Sequence, residues 1–207
     1  MANQCGIGVV CVLGSWGSGS TSVAGYLSHM GLNSCPPHQQ TIDPNTPNSF
    51  ESEEFRQACL AVFDEKTLSE TGSRAAFVDW LGQWILAKER ETASQGQSGI
   101  CLKHPLSAFL IGEIAEVADP IWILVTRKFS NIERTRERRQ WHPTFGAYGA
   151  QKIYSRAISD LISGGHSFIA VAYEDFRAHK ETRDTLIDFA KLRPSESQSR
   201  QAESWVR

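Results

Sequence analysis

No apolar run in the 207 residues approaches the ~20 that a membrane-spanning helix needs, and no signal-like segment opens the chain. Both absences point to a soluble, cytoplasmic protein without a membrane partner. Cysteine is sparse and unpatterned. Cys5, Cys11, Cys35, Cys59 and Cys101 form no Cys-x-x-Cys pair and no Cys/His cluster, so no metal site is expected. Cys11 and Cys101 fall inside apolar runs, where a reduced cysteine is a small apolar residue. A dominant charge is also lacking. The formal net charge of −2 gives no general pull toward nucleic acid or an anionic surface, so any anion site must be local. Internal repeats and low-complexity segments are missing as well.

What is present is an ordinary globular composition, 41% apolar and 21% charged. The length suits one α/β domain over residues 1–207 with a sizeable core. The stretch around which the chain is organised comes early. The first βα unit runs from about Gly6 to Gly31: an apolar, β-branched run ends at Leu13, a Gly/Ser loop follows from Gly14 to Ser22, and Val23 to Met30 reads as a helix. Strand, glycine loop and helix together make an anion grip. Small residues let backbone N–H groups converge, and the helix adds its free donors and the positive end of its dipole. The spacing Gly14-x-x-x-x-Gly19-Ser20-Thr21 is nearly a Walker A loop, but Ser20 stands where the lysine would be.

Helices and strands then alternate. Gly31 caps the first helix, and a polar, proline-rich loop follows over Asn33 to Asn48. Ser49 caps a helix from Phe50 to Phe63, and a second helix runs from Ser73 to Thr92 with Phe77, Trp80, Leu81 and Trp84 at helical spacing. Residues 33–95 thus read as a loop and helical insertion. Ile100 to Lys103 is a short buried strand, and a helix from Pro105 to Val117 follows it. Ile121 to Val125 is a buried strand, and a basic helix with Arg134, Arg136, Arg138 and Arg139 comes next. Tyr148 to Ile162 is a further helix and Ser167 to Val171 a strand, closed by Tyr173-Glu174-Asp175-Phe176. A last helix, Thr182 to Leu192, precedes a polar tail. The alternation predicts a three-layer α/β fold of the P-loop NTPase type, with a central parallel sheet flanked by helices. Ligands bind such sheets outside the carboxyl ends of the strands, where the glycine loop, Lys103-His104 and Arg127 fall.

The ordered set of motifs resembles the P-loop sulfotransferases, especially the compact bacterial-type members. Val12 to Ser22 looks like their 5′-phosphosulfate loop, and Leu102-Lys103-His104-Pro105 looks like their Lys-x-Pro strand end. Ile121 to Arg127, with Thr135 eight residues on, looks like their 3′-phosphate motif. Tyr173-Glu174-Asp175-Phe176 is similar to the Tyr-Glu-Asp-Leu of their last strand. The resemblance implies 3′-phosphoadenosine 5′-phosphosulfate as co-substrate and transfer of its sulfuryl group to a hydroxyl or amine, with no metal. It implies that Gly14, Ser15, Trp16, Gly17, Ser18, Gly19, Ser20, Thr21, Arg127 and Thr135 hold the donor. The family usually carries Lys or Arg where this chain has Gly17.

Physical chemistry points the same way. An arginine beyond a strand forks onto a phosphate through two parallel hydrogen bonds. Thr135, about two helical turns further, returns to a similar face. The candidate base is His104, whose ordinary pKa lies near neutrality. Its runner-up is Glu51, in a stretch after Asn48 where the family often places an acidic residue. Lys103 is assigned to the donor's sulfate or leaving phosphate. The acceptor, a small molecule or a glycan, is not legible; the loop 33–48 and the tryptophan-bearing helix are candidates for shaping its pocket. Two other readings stay open. A nucleotide-dependent kinase or hydrolase lacks the Walker lysine and a strand-end aspartate for magnesium. A non-catalytic nucleotide-binding protein is what Gly17 would favour.

Overall fold

The computed structural model describes residues 8–41 and 47–206. Cys5, the start of the first strand at about Gly6, and Asp43 to Thr46 of the proline-rich loop lie outside the described residues.

Five strands form one parallel sheet. In chain order they are β1 (Gly8–Leu13), β2 (Leu32–Asn33), β5 (Gly99–Lys103), β6 (Ile121–Thr126) and β7 (Phe168–Ala172), and in space they run β2-β5-β1-β6-β7. A small antiparallel pair, β3 (His38–Gln40) and β4 (Asn48–Ser52), lies outside it. The central strands β1, β5 and β6 are almost wholly apolar because both faces of the sheet are covered there. Alternate residues of β1 serve the two cores. Val9, Cys11 and Leu13 pack with Ile100, Leu102, Trp122 and Leu124 on one face. Val10 and Val12 pack with Cys101, Ile123, Val125 and Val171 on the other.

The first core is closed by α2 (Glu53–Val62), α3 (Arg74–Ser94), α4 (Ile111–Val117) and α6 (Ala147–Ser163), and the second by α1 (Ser20–His29), α8 (Lys180–Phe189) and α9 (Glu196–Trp205). Two more helices, α5 (Phe129–Arg139) and α7 (Tyr173–Ala178), follow the ends of β6 and β7. This is the three-layer arrangement that the alternation of elements predicts. Cys11, Cys35, Cys59 and Cys101 are buried free thiols.

Several boundaries differ from the sequence expectation. The first helix opens at Ser20 rather than Val23, and the stretch read as loop from Asn33 to Asn48 contains the end of β2 and all of β3. Residues 50–52 are strand, not helix. Asn48 Oδ1 accepts the Phe50 N–H at 2.8 Å and Ser49 Oγ accepts the Glu51 N–H at 3.1 Å, and these local bonds hold a turn in which Phe50 has φ 53°, outside the right-handed helical region. The helix therefore opens at Glu53. The helix expected from Pro105 is broken in two. A 3₁₀ turn over Pro105–Phe109, closed by Leu110 N–H to Ser107 O at 3.0 Å, precedes α4. Tyr173 to Phe176 opens α7 rather than closing β7. The polar tail is helical: α9 starts in a capping box between Ser195 and Gln198 and buries Ala202.

Candidate functional site

The parallel register brings four chain segments to one edge. Val12 lies opposite Lys103, Leu13 opposite Leu124, and Thr126 opposite Ala172. The Gly14–Gly19 loop, Lys103-His104, Arg127 and Tyr173 therefore emerge side by side. They line a cleft of about 540 Å³ together with Thr135, Glu51 and Gln39 to Thr41. Ser15, Trp16, Gly17, Ser20 and Thr21 face the same cleft. Gly14 and Ser18 lie beneath it, and Ser18 Oγ accepts the Ser20 N–H at 3.4 Å.

The loop turns through two left-handed residues, Gly17 (φ 73°) and Gly19 (φ 91°). Gly19 is required twice over, because a Cβ there would collide with the Tyr173 ring. At Gly17 a Cβ would lie 3.5 Å from Thr135, an ordinary contact, so only the backbone angle restricts that position. Gly19, the N-cap of α1, has no side chain to cap it, and the loop itself engages part of the first turn: Ser18 Oγ takes the Ser20 N–H and Gly19 O takes the Ser22 N–H at 2.9 Å. From below, Ser15 Oγ donates to Tyr154 Oη at 3.3 Å.

Arg127 Nη1 donates to Gly17 O at 2.9 Å and to Thr135 Oγ1 at 3.4 Å. Its guanidinium lies over the Tyr173 ring, 4.8 Å from the centroid. Its Nε is buried without a hydrogen-bond partner, 3.6 Å from Glu174 Oε1. The Nε edge of the guanidinium is thus turned to the Glu174 carboxylate, while its Nη1 lies at the loop.

Across the cleft lies a buried polar cluster. Lys103, 4% exposed, donates from Nζ to Glu51 Oε1 at 2.6 Å, to Thr21 Oγ1 at 3.1 Å and to Ser49 O at 3.2 Å. Burial works to raise the Glu51 carboxyl, but the Lys103 ammonium bonded to it holds it below the usual carboxylate range. His104, 1% exposed, is pushed down to about 4 by burial. Its Nδ1 accepts the Leu106 N–H at 3.3 Å, so the neutral ring carries its proton on Nε2, 4.0 Å from Glu51 Oε2. The mouth is aromatic. Trp16 and Phe145 pack with centroids 4.4 Å apart, and Trp141 stands edge-on to Phe145.

Every residue that the sequence assigns to the site, except Gly14 and Ser18, thus lines this cleft. Of the two stretches expected to shape an acceptor pocket, only Gln39 to Thr41 lines it among the described residues. The helix carrying Trp80 and Trp84 packs elsewhere, and Trp84 is core, donating Nε1–H to Glu54 at 2.7 Å. Sequence patterns do not point to Arg56, Glu65, Trp141 and Phe145, which converge on the cleft only through the tertiary fold. No group of three or more His, Cys, Asp or Glu residues among the described residues is arranged to hold a metal ion. No described helix is long and apolar enough to cross a membrane.

No protein-family model and no curated protein matches the chain. Solved structures do. The sulfotransferase domain of the olefin synthase from Synechococcus PCC 7002 superposes with a TM-score of 0.55 at 16% identity, over 95% of this chain and 78% of that one. Sulfotransferase STF9 from Mycobacterium avium gives 0.56 at 11% identity, over 96% and 68%. The chain has the fold of these sulfotransferase domains.

Proposed function

We propose that the chain is a sulfotransferase that uses 3′-phosphoadenosine 5′-phosphosulfate and sulfates a hydroxyl or amine of a small-molecule or glycan acceptor in the cytoplasm. The observation that carries the reading is the pairing of Arg127 and Thr135 beside Gly17. A loop without a lysine, with a second anion site next to it, suits a nucleotide bearing separate 5′ and 3′ groups better than a triphosphate.

The co-substrate supplies an activated sulfuryl group, whose bond to the 5′-phosphate oxygen breaks as the bond to the acceptor oxygen or nitrogen forms. The loop and the first turn of α1 hold its 5′ end through backbone donors and the hydroxyls of Ser20 and Thr21. Arg127 and Thr135 take the 3′-phosphate. Lys103, bonded to Thr21 at the loop, supplies the cation that Gly17 does not. The base role passes from His104 to Glu51. Both nitrogens of the neutral imidazole are committed, Nδ1 to Leu106 and Nε2 to its own proton. Glu51 is ionised and lines the cleft. Its Oε2 takes the acceptor's proton while Oε1 stays on Lys103. Trp16, Trp141 and Phe145 offer the acceptor an apolar wall.

Calorimetry with adenosine 3′,5′-bisphosphate, set against ATP with magnesium, tests the reading. Binding of the bisphosphate alone is expected. Binding of ATP alone would sink it and favour the kinase class. Gly17 supports a second reading, a non-catalytic nucleotide-binding protein. Bisphosphate binding without sulfate transfer across a broad acceptor panel would select it.

A further inference from the structure

Glu51 is delivered to the cleft by an unusual residue. Phe50, immediately before it, has φ 53°, a left-handed backbone that bulky side chains avoid. Such a conformation persists only where the surroundings over-determine it. Here they do. Asn48 Oδ1 accepts the Phe50 N–H, while Asn48 Nδ2 lies 3.0 Å from His38 Nδ1. His38 Nε2 is 3.1 Å from Ser34 O. Ser49 Oγ donates to Gln39 O at 2.7 Å and accepts the Glu51 N–H.

The ring of Phe50 is held as firmly as its backbone. It packs T-shaped on Trp205 at 5.3 Å, against His38 at 5.5 Å, and edge-on to His29 at 6.4 Å. Trp205 belongs to α9 and also touches the helix that follows the glycine loop. Its Nε1–H donates to Ser22 O at 3.1 Å, and its indole lies so close to Gly25 that a Cβ there would come within 2.6 Å of it. One indole therefore contacts both the helix of the anion loop and the residue that precedes Glu51.

The φ of Phe50 sets the peptide plane whose carbonyl, Ser49 O, receives Lys103, and it sets the direction in which the chain presents Glu51. We propose that Phe50, locked by Trp205, is the positioning residue that aims Glu51 and Ser49 O at Lys103, and that α9 thereby ties the base to the helix of the glycine loop. The inference rests on the reading of Glu51 as the base.

The test reads geometry before any transfer occurs. The Glu51 carboxyl, labelled with carbon-13 and assigned through Glu51→Gln, is titrated in the full chain. It faces Lys103, His104 and Arg56, and Lys103 heads the contacts that hold it low. In Phe50→Ala the midpoint is expected to rise, because the carboxylate no longer meets Lys103. Trp205→Ala shifts it the same way and Trp205→Phe restores it. The double variant Phe50→Ala/Trp205→Ala moves it no further than Phe50→Ala alone, since both act through one ring. Bisphosphate affinity in Phe50→Ala stays within about threefold of wild type. An unchanged Glu51 midpoint in Trp205→Ala, or additive shifts in the double variant, would overturn the proposal even if Phe50→Ala fails to fold. Loss of the sulfotransferase reading appears separately, as wild-type protein that does not bind the bisphosphate.

Discussion

Lys103 Nζ stands 2.6 Å from Glu51 Oε1 with both side chains buried, one at the end of β5 and the other on β4. Removing either partner strands the other charge. Lys103→Met is expected to cost about 3–5 kcal/mol in urea unfolding at neutral pH. Adding Glu51→Gln should recover part of that loss, since the uncompensated charge disappears. The sign with pH follows from the depressed folded-state pKa of Glu51. The pair's contribution is complete above the ordinary carboxylate value and is lost as pH falls through the depressed one. Equal losses for the single and double variants would contradict this coupling.

Arg127 reaches the loop at Gly17 and the hydroxyl of Thr135. If it receives the 3′-phosphate, Arg127→Ala should weaken adenosine 3′,5′-bisphosphate by about 1.5–3 kcal/mol, the worth of a hydrogen bond to a charged group. Adenosine 5′-phosphate, which lacks that group, should lose far less. Calorimetry on both ligands decides it, and equal losses would refute the assignment.

The four longer strands of the parallel sheet (β1, β5, β6 and β7) and the glycine loop are legible in the sequence because their signals are local, whereas β2, β3 and β4 are not. A β-branched run such as Ile121–Val125 and a Gly/Ser turn before a helix declare themselves within a dozen residues. Helix starts at Ser73 and Pro105 are legible for the same reason. The turn at Asn48–Ser52 is not. Its course depends on Asn48 and Ser49 bonding to nearby N–H groups and on a phenylalanine in a left-handed conformation, and neither shows in a periodicity. The helix α9 is hidden by its own polarity, because its apolar contacts reduce to Ala202 and Trp205. The cleft's chemistry is legible in residue types but not in roles. The type of His104 suggests a base, but the sequence does not show that its Nδ1 accepts the Leu106 N–H.

Gly19 and Gly17 both lie in the left-handed region, yet they should respond differently to alanine. At Gly17 the added methyl finds an ordinary contact with Thr135, so Gly17→Ala costs about 1 kcal/mol of backbone strain. At Gly19 it meets the face of Tyr173, and Gly19→Ala should cost at least ~3 kcal/mol and abolish bisphosphate binding. Adding Tyr173→Ala to Gly19→Ala should recover stability, because the collision is removed. Thermal melts of wild type and the three variants check this, and equal melting temperatures for Gly17→Ala and Gly19→Ala would disprove it.

His104 supplies the last prediction. Burial lowers it from 6.5 to about 4, so between those values the unfolded chain binds a proton that the folded chain refuses. The stability of the fold must then fall as pH drops from 6.5 toward 4, by about 3 kcal/mol for this group alone, and be independent of His104 above 6.5. His104→Asn removes the titration and keeps an acceptor for the Leu106 N–H. Its urea-unfolding free energy should therefore decline less steeply than wild type over that window, with the two curves parallel above it. If Glu51 is the proton acceptor, as proposed, catalysis should show no step near pH 6.5 from this residue, because the ring stays neutral there. Parallel stability curves across the whole range, or a rate profile whose limb near 6.5 vanishes in His104→Asn, would return the base role to the histidine.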